Sequence, residues 1–198
     1  MKIFIYLTLF SAFSSFAFAE DKVQADPKKA EMMKKHMEYS TPGEEHKILA
    51  DLAGNWNYTS RWWESPESKP EESKGSSKMK MILSGRFLQQ DFKGKAMGQP
   101  FEGMGIIGYD KLKKEFNSIW LDSMGTGIMK AAGSYDQGTK TLSEKGQFTC
   151  PMNESGTAEY RAEWKMNDKN NTTYTMYSKG MTGEGPEFKT MEIIYKRK

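Results

Sequence analysis

The chain has 198 residues, a formal net charge of +3 and 28% charged residues of both signs. This nearly balanced surface argues against a nucleic-acid-binding protein, which concentrates lysine and arginine on one face. Cys150 is the only cysteine, which excludes an intramolecular disulfide. With no histidine or second cysteine near it in sequence, we interpret it as a buried or turn residue rather than a reactive thiol.

The N-terminus has the pattern of a secretory signal peptide. A basic Met1-Lys2 precedes an uncharged, mostly apolar run over residues 3–18, and Ala17-Phe18-Ala19 is a small-x-small cleavage site. The run is short for a membrane-spanning helix and is interrupted by serines. We therefore expect cleavage near Ala19 and an exported protein, periplasmic or secreted, without a transmembrane segment in the mature chain.

Two helical segments are predicted before the first strand. Residues 20–40 form a polar, lysine-rich arm or helix, in which Met33, His36 and Met37 would share one face. An alternative is that these residues, with Met32, bind a soft metal such as copper, but we favour the helix and expect no metal and no cofactor. Next, Thr41-Pro42-Gly43-Glu44 predicts a short helix with Thr41 as its N-cap and Glu44 at the capping-box position, ending at Gly54.

Beyond Gly54 the period changes to the apolar–polar alternation of strands. We predict a long solvated loop over residues 64–76, a turn at Gly94, and ten strands with short connections. These cover residues 55–63, 77–83, 86–92, 101–109, 115–122, 127–135, 141–148, 159–166, 172–177 and 188–196. Closure removes exposed sheet edges, so residues 41–198 are expected to form one all-β domain: a closed antiparallel up-and-down β-barrel of about ten strands with a short N-terminal helix. A barrel of more than about eight strands leaves interior room for a ligand.

Several segments carry a family resemblance. They are Glu45-His46-Lys47, Gly54-x-Trp56, Gly85-Arg86-Phe87-Leu88-Gln89, Pro100-Phe101-Glu102-Gly103-Met104-Gly105, Gly108-Tyr109-Asp110, Trp120-x-Asp122-x-Met124-Gly125-Thr126-Gly127 and Met191-Glu192-Ile193. In this order they resemble the bacterial domain-of-unknown-function 1579 family. The resemblance implies a calycin-like (lipocalin-like) barrel and brings no established chemistry.

Resemblance to the calycin barrels also implies a structural base made by Gly54, Trp56 and Arg197. In those barrels a late arginine packs across the tryptophan of the first strand, and Arg197 is the candidate in this chain. A guanidinium stacked on an indole gains cation–π energy while it covers apolar surface, so the pairing has a physical basis of its own.

Polar residues on neighbouring predicted strands, together with aromatic and methionine residues, are candidate lumen contacts. The predicted ligand-binding residues are Arg86, Gln89, Asp91, Glu102, Met104, Trp120, Asp122 and Met129. A shift of one residue in any strand would turn its side chains to the opposite face, so this set depends on the register.

Three functions are compatible with this pattern. The first is binding of a small apolar or amphipathic ligand in the lumen. The second is an enzyme that uses Glu102 and Asp122 as acid and base in the same cavity. The third is an envelope interaction protein that recognises a partner through Trp62-Trp63 without a ligand. We favour the first and expect no nucleic acid as a partner; the oligomeric state is not predicted.

Overall fold

A computed structural model describes residues 26–198, so the predicted signal peptide lies outside the described residues. Within the described residues, one unit ends at His36 and a second comprises Met37–Lys198. Helix α1 (Pro27–Ser40) starts in the first unit, where Glu31 and Lys35 form an exposed ion pair of 2.9 Å. No side chain of α1 is buried, so the apolar face predicted for this segment is exposed.

The short helix before the barrel, α2 (Glu44–Asp51), begins differently from the prediction. Thr41 is not its N-cap, because the Thr41 hydroxyl donates to the carbonyl of Met37 at 2.7 Å and so belongs to the end of α1. The N-cap is Gly43, whose N–H donates to Nδ1 of His46 at 3.0 Å. Burial lowers the pKa of His46, which keeps the imidazole neutral and able to accept this bond.

Ten strands follow α2. They are β1 (Gly54–Trp62), β2 (Glu71–Ile82), β3 (Phe87–Ala96), β4 (Gln99–Asp110), β5 (Glu115–Asp122), β6 (Met129–Asp136), β7 (Thr141–Thr149), β8 (Thr157–Met166), β9 (Asn171–Ser178) and β10 (Phe188–Arg197). Each strand pairs antiparallel with its neighbour in the chain, and β1 pairs with β10. The prediction of a closed ten-stranded antiparallel up-and-down barrel is confirmed.

Two predicted breaks lie inside strands. The expected loop over residues 64–76 is shorter, because β2 already begins at Glu71, and Gly94 lies within β3. A Cβ atom at Gly75 or at Gly94 would overlap the hydroxyl of Tyr58. These glycines therefore give room to an aromatic ring. The turn between β3 and β4 is at Met97-Gly98, where both residues have positive φ angles of 50° and 75°.

The inward-facing side chains form two clusters. The main core joins α2 to most of the strands and consists of Leu49, Leu52, Trp56, Tyr58, Met79, Leu88, Phe92, Ile107, Phe116, Leu142, Trp164, Ile193 and Tyr195. The minor core lies on β6, β8 and β9 and consists of Ala131, Tyr160, Ala162 and Met176, with Met129, Phe148, Tyr174 and Met191 packed against it. The main core is built from large side chains, whereas half of the four buried minor-core residues are alanines. The candidate site is therefore beside the minor core.

Candidate ligand site in the barrel lumen

The α2 end of the barrel is sealed by side chains. The guanidinium carbon of Arg197 lies 4.1 Å from the centroid of the Trp56 ring, and its two terminal nitrogens donate to the carbonyls of Ala53 and Asp51 at 2.6 and 2.7 Å. Gly54 has a φ of 148°, and a Cβ atom there would overlap the Arg197 guanidinium. Since Trp56 is only 1% exposed, a ligand has no access from this end.

Two predicted ligand residues on β3 point away from the lumen. Gln90 is buried and hydrogen-bonds inside the barrel, so Gln89 and Asp91 on either side of it face outward. There the Gln89 amide donates to the Asp91 carboxylate at 2.7 Å. The prediction that Gln89 and Asp91 face the lumen is wrong by one residue of strand parity, which the sequence pattern of β3 did not determine.

The same correction applies to Glu102 and Met104 on β4. Gly103 and Gly105, which alternate with them along β4, face inward against the ring of Trp120. Glu102 and Met104 therefore face outward. The Glu102 carboxylate accepts a hydrogen bond from Lys93 Nζ at 2.9 Å in an exposed ion pair.

Trp120, Asp122 and Met129 are on the lumen side of the wall. Asp122 pairs with Gly103 at the rim, where its carboxylate accepts a hydrogen bond from Trp120 Nε1 at 2.8 Å. Glu102 and Asp122 therefore lie on opposite faces of the barrel wall. Their carboxylates are held by different partners, Lys93 and Trp120, so the predicted acid–base pair is not formed.

Arg86 lies in the turn between β2 and β3, at the α2 end. Its guanidinium donates to the carbonyls of Ser40 at 2.7 Å and Leu83 at 3.2 Å. Lys111 donates nearby to the carbonyl of Thr41 at 3.1 Å. Arg86 thus helps to hold the segment before α2 on the end of the barrel and does not contact the lumen.

Sequence reasoning missed a buried carboxyl group of the lumen, Glu144. It faces inward on β7, paired with Gly133 on β6 and Ala162 on β8, and is only 4% exposed. The Ser118 hydroxyl hydrogen-bonds its carboxyl group, but Oε1 has no partner. Burial raises the pKa of Glu144 to about 7. The sequence signal that could have identified it is the position of Glu144 on the same face of β7 as Leu142 and Gly146.

Two phenols of the minor core lie near Glu144. Burial raises the pKa of Tyr160 and that of Tyr174, and a charge on Glu144 would raise both further. The Tyr160 ring packs against Phe148 with centroids 6.1 Å apart, and the Tyr174 ring packs against Trp164 at 4.9 Å. The carboxyl group is therefore surrounded by aromatic side chains and hydroxyl groups.

A cavity of about 1030 Å³ lies along the barrel wall at β6 to β8, towards the end opposite α2. Much of its lining faces outward, and Glu144 does not border it. The outward-facing residues include Lys130, Ala132, Lys145, Gln147, Glu159 and Arg161, and the inward-facing residues of the same strands that border it are Ala131, Gly146, Phe148, Ala158 and Tyr160. Glu144 lies one inward-facing position deeper than Gly146. A second groove of about 650 Å³ runs along the outer surface and is bordered by four predicted site residues, Asp91, Glu102, Met104 and Asp122.

The tryptophan pair at the rim does not form one exposed platform. Trp62 and Trp63 are both half-buried, and Trp62 pairs with Met191 on the lumen side. The ring of Trp63 is covered by Lys189, whose Nζ lies 4.4 Å from the ring centroid.

Residues 26–198 contain no group of three or more histidine, cysteine, aspartate or glutamate side chains placed to hold a metal ion. Cys150 is buried, and its thiol contacts the carbonyl of Met181 at 3.1 Å. In the part of the chain that the structure describes, no helix is both long and apolar enough to cross a membrane.

Comparison with known proteins determines the family. The model described as "Protein of unknown function (DUF1579)" matches residues 41–197. The chain belongs to the DUF1579 family. This confirms the resemblance seen in the sequence motifs, and the matched region contains α2 and all ten strands. Comparison of the sequence with curated proteins gives no match.

Solved structures support the fold of this DUF1579 member. Rv2717c from M. tuberculosis superposes with a TM-score of 0.58 at 12% identity, covering 80% of this chain and 99% of that protein. The S-type phycobiliprotein lyase CPES from Guillardia theta gives 0.54 at 9% identity, covering 78% and 92%. At this identity the similarity concerns the barrel fold alone.

Proposed function

We propose that this protein binds a small ligand with a large apolar part in the lumen beside the minor core, and that the polar end of the ligand reaches Glu144. The observation that carries the proposal is the buried Oε1 atom of Glu144, which has no hydrogen-bond partner. A buried polar atom without a partner costs roughly 1–3 kcal/mol, so a ligand that supplies the partner recovers that free energy.

The walls of the site favour an apolar ligand. Phe148, Tyr160 and Tyr174 contribute aromatic surface, and Met129, Met176 and Met191 contribute flexible side chains that adapt to different shapes. The small side chains of Ala131 and Ala162 occupy little of the lumen in this region. The main core, by contrast, has no comparable group of small residues and closes the α2 end.

Binding is tested with an uncharged apolar fluorophore, N-phenylnaphthylamine, whose emission rises in apolar surroundings. Ala131 faces the lumen and Ala132 faces outward, so Ala131→Phe fills the site and Ala132→Phe is the matched control. We expect Ala131→Phe to weaken fluorophore binding by more than about tenfold, and Ala132→Phe to leave it unchanged.

The reverse result, in which only Ala132→Phe weakens binding, would place the site on the outer surface and refute the proposal. Since Ala131→Phe adds volume to a buried position, its fold is verified by circular dichroism. Native mass spectrometry of the purified wild-type protein gives an independent measurement. Absence of both fluorophore binding and any co-purified small molecule would also refute the proposal.

We further propose that the protein is exported and that its ligand is met outside the cytoplasm. The support is the order of a basic start, an apolar run and Ala17-Phe18-Ala19 in the sequence. N-terminal sequencing of the protein from a fractionated cell should give a chain that starts at Glu20 in the envelope or medium. A cytoplasmic protein that retains Met1-Lys2 would contradict export.

A further inference from the structure

The charges inside the barrel are almost all acidic. Among the inward-facing positions of the ten strands, the charged residues are Glu71, Asp122, Glu144 and Arg197. Arg197, the one cation in this set, is stacked on Trp56 and donates to main-chain carbonyls at the sealed end. The lumen therefore contains carboxyl groups without a basic side chain available to pair with them.

Glu144 is the lumen carboxyl group that lacks a hydrogen-bond partner for one of its oxygen atoms. Asp122 accepts hydrogen bonds from the Trp120 indole at 2.8 Å and from the main-chain N–H of Met124 at 2.9 Å, and Glu71 is exposed at the rim. Glu144 has only the Ser118 hydroxyl, and its Oε1 is both buried and unpartnered. Burial disfavours the ionised form of a carboxyl group unless an opposite charge pairs with it, so a cation is the partner that would stabilise Glu144 as a carboxylate.

The aromatic side chains next to Glu144 suit a cation as well. The faces of Tyr160 and Tyr174 have the negative potential that attracts an ammonium group, and Phe148 extends this surface towards the rim. A fatty-acid carboxylate would be repelled by Glu144 and would find no basic side chain in the lumen. An uncharged head group would leave an ionised Glu144 without a counter-charge.

From these contacts we propose that the ligand is an organic cation, a protonated amine with an apolar substituent, whose nitrogen pairs with the Glu144 carboxylate. This inference rests on the lumen binding proposed above and names the class of ligand. The apolar substituent would extend from Glu144 past Tyr160 and Phe148 to the rim.

Binding of a cation should depend on pH through Glu144. The titratable groups that face it are phenols, Tyr160 from β8 and Tyr174 from β9, while β5 contributes Ser118 and β6 contributes Ala131 and Gly133. These phenols stay protonated because burial raises the pKa of each. Only the ionised carboxylate pairs with the amine, so affinity should fall by about tenfold per pH unit as the pH decreases below 7.

The test compares three ligands of equal chain length, octylamine, octanol and octanoate, as competitors of N-phenylnaphthylamine. We expect octylamine at pH 8 to displace the fluorophore at a concentration at least about tenfold lower than octanol, and octanoate to be the weakest. Glu144→Gln should abolish the preference for the amine. Glu102→Gln, the same substitution on the outer face, should retain it.

The outcomes separate this inference from lumen binding itself. Equal displacement by octylamine and octanol, or a preference for octylamine that survives in Glu144→Gln, would overturn the cation assignment while the lumen site remains. Failure of the fluorophore and of all three compounds to bind would overturn both. If Glu144→Gln does not fold, calorimetry of octylamine binding to the wild type in two buffers measures the protons released on binding. Pairing with Glu144 near pH 7 must release a proton, because only the ionised carboxylate pairs with the amine. Binding without proton release would overturn the cation assignment.

Discussion

The main core and the minor core differ in whether their buried polar groups have hydrogen-bond partners. In the main core the Trp56 indole donates to the carbonyl of Leu52 at 2.9 Å, and the neighbouring Gln90 amide donates to Ser77 and Tyr195 at 3.1 Å each. Beside the minor core lies Glu144, whose Oε1 is the one buried side-chain nitrogen or oxygen atom without a partner among the described residues. The main core thus satisfies its buried polar groups within the chain, whereas beside the minor core one buried polar atom is left for the proposed ligand.

The largest effect should come from removing the central side chain of the sealed end. Trp56→Ala should lower the free energy of unfolding by about 3–5 kcal/mol, because it removes a large buried ring and the surface on which Arg197 stacks. Urea denaturation measures the change. Trp63→Ala, at a half-buried tryptophan of the rim, should cost clearly less. Equal losses in the two variants would show that the main core is not the more important element.

A second prediction concerns the pH dependence of stability. The pKa of Glu144 is raised by burial from 4.5 to about 7, so the folded state retains a proton that the unfolded state releases. The contribution of Glu144 to stability should therefore be fully present below about pH 4.5 and be lost as the pH rises through 7, by about 3 kcal/mol in total. Glu144→Gln should remove this decrease and be more stable than the wild type at pH 8.

Denaturation of both proteins between pH 4.5 and 8.5, without ligand, measures this difference. Glu102→Gln is the control, because this carboxyl group is exposed on the outer face. If Glu144→Gln and the wild type differ by the same amount at every pH, the carboxyl group of Glu144 does not titrate as the geometry requires.

Arg197→Lys tests the seal with the charge retained. Lysine lacks the planar group that stacks on Trp56, and its single nitrogen cannot reproduce the fork by which two guanidinium nitrogens reach the carbonyls of Ala53 and Asp51. We expect the free energy of unfolding to decrease by about 1–2 kcal/mol. Lys196→Arg, at the exposed neighbouring position, is the reciprocal control and should have no effect. An unchanged stability of Arg197→Lys would show that its charge alone is sufficient.

The smallest effect should be at the outer face. Lys93→Ala removes the ion pair with Glu102, in which both side chains are mostly exposed, and water solvates the remaining carboxylate. Its unfolding curve should coincide with that of the wild type. A loss as large as that of Arg197→Lys would mean that the outer groove contributes to the stability of the barrel.

The fold could be predicted because its signal is repeated along the chain. Alternating apolar residues recur along strands such as β5 and β7, and turn residues separate the strands. Closure into a barrel is the simplest way for ten strands with short connections to pair both edge strands. The misplaced boundaries, at residues 71–76 and Gly94, have different causes. Gly94 was taken as a sign of a turn, whereas the Tyr58 ring requires a glycine there in the folded barrel. Residues 64–76 were predicted as a loop from their prolines, serines and charges, although β2 begins at Glu71.

The site could be predicted only in part. Trp120, Asp122 and Met129 do lie on the lumen side, but Gln89, Asp91, Glu102 and Met104 lie on the outer face. In β3 and β4 both faces contain polar and apolar residues, so the alternation does not identify the inner face. Glu144 was overlooked because a single glutamate in a strand usually faces solvent.

By itself the sequence determined the family, the strand order and the closed barrel, because these depend on patterns that many residues share. It also contains the signal-peptide pattern that underlies the proposed export. The tertiary structure alone decided which face of each strand points inward, and so exchanged Glu102 for Glu144 as the candidate functional carboxyl group. The physical reason is that orientation follows from pairing across the whole barrel, where a shift of one residue reverses every side chain of a strand.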